Sequence, residues 1–158
     1  MSQPTKEQWT EIEAKMNSLF STAYLDCDGY LIASQMVRDK NKLVIQVYVD
    51  GLIKGEWHQY VESIAEFKEE PKRFYNLKKS SAWPKKFVTD MEKIIGKRRC
   101  KNEGYYAVRY SSRAWWTSAK SFISHLKKHN QSIELLDHKT YQQRLAAKQT
   151  QEQTACTN

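Results

Sequence analysis

Leu43-Val44-Ile45-Gln46-Val47-Tyr48-Val49-Asp50-Gly51 decides the fold class. Residues 43–49 are mostly β-branched or aromatic and end at a pair that tolerates positive φ, the pattern of a strand running into a tight turn. Alternation puts Leu43, Ile45, Val47 and Val49 on one face and Val44, Gln46 and Tyr48 on the other. Reading upstream, Asp39-Lys40-Asn41-Lys42 is a polar turn and 30–38 a second strand. Asp28-Gly29 suits a type I′ turn back to a short strand over 24–27. Downstream, 52–57 reads as a fourth strand, so the expectation is a four-stranded antiparallel meander.

Helical spacing flanks this meander. Over 5–20, Trp9, Ile12, Met16, Leu19 and Phe20 share a face, behind a Thr5–Gln8 capping box. Over 58–68, Val61, Ile64 and Ala65 do the same, and Pro71 ends the segment. These two helices are expected to cover one face of the sheet. Residues 73–83 read as a loop. A helix over 84–95 starts at Pro84, shows Phe87, Met91, Ile94 and Ile95 on one face, and stops at Gly96. Residues 105–110 read as a strand. Ser111 or Ser112 caps a helix to His129, with Trp115, Trp116, Ala119, Phe122, Ile123 and Leu126 as its apolar stripe. A strand over 133–136 and a short helix over 141–148 complete the C-terminal half. The fold class is α+β: a four-stranded antiparallel meander packed with helices, followed by a helix-strand-helix C-terminal half. One domain over 1–148 suits a chain of 158 residues. Residues 149–158 hold no large apolar side chain and read as a mobile tail carrying Cys156.

No stretch is long and apolar enough for a membrane span, and the first residues show no signal-peptide h-region. Cys27, Cys100 and Cys156 are widely spaced, which indicates neither a disulfide framework nor a zinc ribbon and makes a reducing cytoplasm the simplest compartment. Five Trp and nine Tyr point to a core built on large rings.

The net charge of +8 lies in one stretch: residues 68–101 hold twelve of the 26 basic residues and four of the 18 acidic ones, and the remainder cancels. Localised charge is a partner signal. Within the stretch, Lys72-Arg73-Phe74-Tyr75, Lys78-Lys79, Trp83 before Lys85-Lys86, and Lys97-Arg98-Arg99-Cys100-Lys101 interleave cations with rings. Cations neutralise phosphates and rings stack on unpaired bases. The same rings can instead be core, since large aromatics are usually buried. Lys72, Arg73, Lys78, Lys79, Lys85, Lys86, Lys97, Arg98, Arg99 and Lys101 are therefore the candidate nucleic-acid ligands, with Arg98 and Arg99 favoured for their fork geometry.

Chemistry beyond binding has little footing. There is no Gly-rich phosphate loop, Walker motif, zinc-protease helix or nucleophile elbow, so no catalytic residue and no cofactor is assigned. His125 and His129 share a helix face at metal-pair spacing but have no third ligand beside them, so no metal site is assigned. Cys100 between two cations is either a reactive thiolate or an incidental surface thiol. Trp115 and Trp116, adjacent on an expected helix, cannot both point inward, which makes one of them a candidate contact for a protein partner.

Asp28-Gly29-Tyr30 followed by residues 43–57 resembles a segment of small uncharacterised proteins carried by phages, prophages and plasmids. The resemblance implies an accessory protein of a mobile genetic element, a class that includes inhibitors of host defence, and transfers no functional residue. The expected function is thus a non-catalytic protein that binds nucleic acid or a nucleoprotein complex through 68–101. Inhibition of a host defence protein, and an enzyme with an unrecognised site, are the alternatives.

Overall fold

The computed structural model describes residues 3–155. It shows a mixed α+β fold built on an antiparallel sheet. Helix α1 spans Lys6–Met16; its start is fixed by the Thr5 hydroxyl accepting from the Gln8 amide while the Gln8 side chain accepts from the Thr5 amide. Strands β1 (Thr22–Cys27), β2 (Tyr30–Asp39) and β3 (Lys42–Val49) form three consecutive antiparallel strands of the four expected. Asp28 and Gly29 both hold positive φ, as a type I′ turn requires.

The fourth strand does not form. Asp50 and Gly51 turn the chain as read, but Leu52 makes a single bridge to Val49, and a 3-10 turn over Gly55–His58 then buries Trp57. The place beside β3 is taken from far along the chain by β6 (Trp115–Trp116), with Ile45 opposite Trp116 and Gln46 opposite Trp115. At the other edge β7 (Ile133–Leu136) pairs with β1. The sheet order is β6-β3-β2-β1-β7.

Nor does a helix form over 58–68, where only a 3-10 turn, Ile64–Glu66, is present. Pro71 begins a helix rather than ending one: it is the third residue of α2 (Glu69–Phe74). First-turn amides have no intrahelical acceptor, so a proline there sacrifices no bond. The expected loop after it contains β4 (Asn76–Ser81), paired with β5 (Val108–Arg113) as a separate two-stranded ribbon. Helix α3 (Lys85–Ile95) stops at Gly96 as read, with φ +83, and α4 (Lys97–Asn102) follows at once. Helix α5 spans Ala119–His129 and is capped by Ser118, so Trp115 and Trp116 lie ahead of it in a strand.

Two apolar layers hold the sheet. On one face Ile12 and Met16 of α1 and Phe122, Ile123 and Leu126 of α5 pack with Leu25, Ile32, Ile45 and Val47. The opposite face, with Leu31, Ala33, Tyr24 and Tyr48, is covered by Tyr141 and Leu145 of α6 (His138–Ala155). The strand alternation read from 43–49 is the one observed, with Ile45, Val47 and Val49 in the larger core and Tyr48 on the α6 side. Leu19 and Phe20 fall outside α1 and are exposed. The last helix continues past residue 149 to Ala155; Cys156 lies outside the described residues. Gly51 makes the close approach of α6 possible, because a Cβ there would stand 3.2 Å from the Leu145 side chain at φ +76. No helix among the described residues is long and apolar enough to cross a membrane.

Candidate nucleic-acid interface

The basic residues of 68–101 are divided among α2, the β4–β5 ribbon, α3 and α4. Arg73 is bound inside the fold: its guanidinium meets Asp28 at 3.0 Å, pairs with Glu69 and lies over the Tyr30 ring. Asp28 also accepts from the backbone amides of Gln131 and Ser132. Burial alone would raise its carboxyl, but those two amides and Arg73 outweigh it and hold the group below its ordinary value. Arg73 thus ties α2 to the β1–β2 turn and does not offer its charge to a partner. Lys72, on the same helix, donates to the Ala65 carbonyl at 2.8 Å.

The ribbon sorts the next residues by face. Directly paired residues share a face, so Asn76, Lys78, Ser80, Arg109, Ser111 and Arg113 stand together, with Lys79 on the other side. On that other side Ser112 is buried and its hydroxyl donates to the Trp57 carbonyl. The Lys78 face has no carboxylate. Lys78 and Arg109 are exposed, Arg113 is half-buried with its guanidinium 5.0 Å from the centre of the Trp115 ring, and none of the three forms an ion pair among the described residues.

At the far end of the ribbon, where the Ala82 amide still bonds the Ala107 carbonyl, α3 and α4 form a small tip. Trp83, Phe87 and Tyr105 pack ring against ring there. Lys85, Lys86, Lys97, Arg98 and Lys101 are exposed on this tip, and Arg99 pairs with Glu103 at 2.7 Å. Trp83, Phe87 and Ile94 remain 42%, 40% and 74% exposed.

Several candidates change character. Phe74 and Tyr75 are core, as large rings usually are, but Trp83 is not. Trp116 is also core: its indole donates to the Phe74 carbonyl at 3.0 Å and its ring meets Phe122 and His125, so a partner cannot use it as an anchor. Trp115 points the other way, as strand neighbours do, and is half-buried. Cys100 is neither a surface thiol nor a reactive thiolate. It faces inward from α4, and burial, with Glu92 and Glu103 nearby, raises its thiol. His125 and His129 do meet, with ring centres 4.3 Å apart, but among the described residues no three His, Cys, Asp or Glu side chains group as metal ligands.

Sequence reading missed Arg109 and Arg113. The signal was there in the alternation Arg109-Tyr110-Ser111-Ser112-Arg113, which puts two cations four residues apart on one strand face. It was hidden because the serines read as a helix cap. Comparison of the chain with protein-family models, curated proteins and solved structures gives no match.

Proposed function

We propose that this is a non-catalytic protein that binds nucleic acid through the Lys78–Arg109–Arg113 face of the β4–β5 ribbon. The observation that carries this reading is a strand-pair face with three cations that form no ion pair among the described residues, hydroxyls and an amide between them, and no acid among its six residues. A two-stranded ribbon fits the major groove of DNA, and serine, asparagine and arginine side chains serve both phosphates and base edges. Exposed lysines of the tip extend the same positive field. At Ser112 the hydroxyl donates to the Trp57 carbonyl, and His58 Nδ1 bonds the Ser112 backbone carbonyl rather than its hydroxyl, so this serine–histidine neighbourhood is not arranged as a nucleophile and base. An accessory role in a mobile genetic element, in a reducing cytoplasm, is the setting this reading supposes.

The test is salt-dependent binding of single- and double-stranded oligonucleotides by fluorescence anisotropy. Affinity should fall steeply between about 50 and 200 mM salt, and each lost phosphate contact should flatten the log–log slope by about 0.7–0.9. The Lys78→Gln/Arg109→Gln/Arg113→Gln variant is expected to flatten it by about 2 and to melt like the wild type. An unchanged slope refutes the ribbon as the interface.

The exposed Trp83, Phe87 and Ile94 favour a second reading, inhibition of a host protein, with the anchor on the tip rather than at Trp115 or Trp116. A nuclease-resistant partner that is lost on Ile94→Asp and retained by the ribbon variant would replace the first reading with this one.

A further inference from the structure

Beside the ribbon lies a pocket of about 440 Å³ lined by Lys72, Lys128, His125, His129, Leu77 and Trp116, with no carboxylate on it among the described residues. The groups come from separate parts of the chain. Lys72 is on α2, Lys128 and the two histidines are on the last turns of α5, and Leu77 is on β4. The docking of α2 on α5 assembles them, through the bond between His125 Nε2 and the Lys72 carbonyl at 3.0 Å. A carbonyl only accepts, so Nε2 carries the proton. Lys72 Nζ gives one proton to the Ala65 carbonyl and keeps two for a ligand. Neither Lys72 nor Lys128 has an ion-pair partner among the described residues. The crowding of cations is felt by the histidines. Burial, then His129 and Lys128, push His125 down to about 4, and burial, then Lys128 and Arg73, lower His129. Burial is the larger cause of both shifts, and the share that comes from neighbouring positive charge is the share an anion relieves.

The form of the anion follows from the charge and the walls. Internal phosphodiesters carry one charge each, whereas a phosphomonoester is close to dianionic at neutral pH, with a second pKa near 6. Two uncompensated ammonium groups and a histidine donor suit a dianion better than a backbone phosphate, and the apolar wall suits the flat face of a base. Asn76 completes the argument. It lines the pocket and stands on the same ribbon face as Lys78 and Arg113, so a strand lying along that face reaches the pocket at its end. We infer that this pocket binds the phosphomonoester of a nucleotide, presented as the phosphorylated end of the nucleic-acid strand that the ribbon holds. The strand-end part of the inference rests on the proposed function; the phosphomonoester part rests on the pocket alone.

Oligonucleotides of one sequence with a 5′-phosphate, a 3′-phosphate or hydroxyls at both ends separate the two. One phosphorylated form is expected to bind about tenfold tighter than the hydroxyl form. Lys128→Gln/His129→Gln should erase that gain and leave the hydroxyl form unchanged, while the ribbon variant weakens all three. Both substituted side chains are exposed, so the fold is retained. In parallel, adenosine 5′-monophosphate and adenosine are titrated while the His129 ring protons are followed by NMR; the nucleotide should shift them and the nucleoside should not. Equal affinity for all ends together with unmoved His129 resonances overturns the inference. Binding of the mononucleotide without binding of any oligonucleotide overturns the proposed function and leaves the pocket as a mononucleotide site.

Discussion

His125 shows at the scale of one residue how the fold sets a property that no local pattern announces. It sits between the Trp116 ring, the His129 ring, Lys128 and the carbonyl of Lys72. Its imidazole is held at about 4 against an ordinary 6.5, so the unfolded chain binds its proton first. The stability it contributes is complete above pH 6.5 and is lost as pH falls through the window from 6.5 to 4. His129, lowered in the same sense, adds to the loss, whereas Asp28 titrates below its ordinary 3.8 and leaves this window alone. A drop to pH 5 should cost about 1–2 kcal/mol at His125, after a discount for its partial exposure. His125→Gln keeps a donor for the Lys72 carbonyl and removes the titration. Urea midpoints at pH 7.5 and 5 should therefore converge in that variant; an undiminished pH dependence would show that His125 is not the responsive group. In the sequence, His125 and His129 were legible only as a pair on one helix face. Their surroundings come from α2 and β6, 52 and nine residues upstream of His125 at Arg73 and Trp116, and no periodicity on α5 contains them.

Among the elements, those that carry their own signature were legible and those defined by their neighbours were not. The Thr5 cap, the Asp28-Gly29 turn, the alternation of β3 and the Gly96 stop are local chemistry, and each stands where it was read. Strand β4, Asn-Leu-Lys-Lys-Ser-Ser, has no apolar alternation because it pairs with β5 in a two-stranded ribbon and one of its faces is polar throughout. Strand β6 is two residues long and exists because Ala114 and Trp116 meet the free edge of β3, where the Val47 amide bonds the Ala114 carbonyl at 2.8 Å. The tip is the element with the least support. No residue of α3 is fully buried, and its one ring, Phe87, packs on Trp83 and Tyr105 rather than on the main core. Units of this kind open without the rest of the molecule. Amides of α3 and α4 are expected to exchange with solvent orders of magnitude faster than those of β1–β3. Trp83→Ala should speed them further while the global melting temperature stays put. Equal protection of α3 and β2 would mean that the tip folds as part of the core.

At the scale of the whole molecule, the sheet begun by residues 22–49 is completed only by the end of the chain. Strand β7 pairs with β1, and α6 covers the face that carries Tyr24, Leu31, Ala33 and Tyr48. Charge reinforces the cover. Arg144 bonds Asp26 at 2.7 Å and Glu134 at 2.9 Å, and Lys148 bonds Asp50 at 2.7 Å and the Gly29 carbonyl at 2.9 Å. The sequence concealed this arrangement because α6 shows only Tyr141 and Leu145 as large apolar anchors in a long polar run. Its attachment is carried as much by two cations as by a hydrophobic stripe, so periodicity saw a marginal helix and a tail. Removing 138–158 should therefore uncover an apolar surface made by β1, β2, β3 and β7 that a sheet of this size cannot leave in water. The truncated chain is expected to bind a hydrophobic dye at neutral pH and to lose its cooperative melt while keeping much of its far-ultraviolet dichroism. Removing only 149–158 takes away Gln149 from the cleft beside Tyr30 and Trp57 but spares Tyr141, Arg144, Leu145 and Lys148, so it should lower the melting temperature far less than the longer cut. A cooperative melt of the longer truncation at the wild-type temperature would show that the sheet is stable on α1 and α5 alone and that α6 is an attachment rather than a wall.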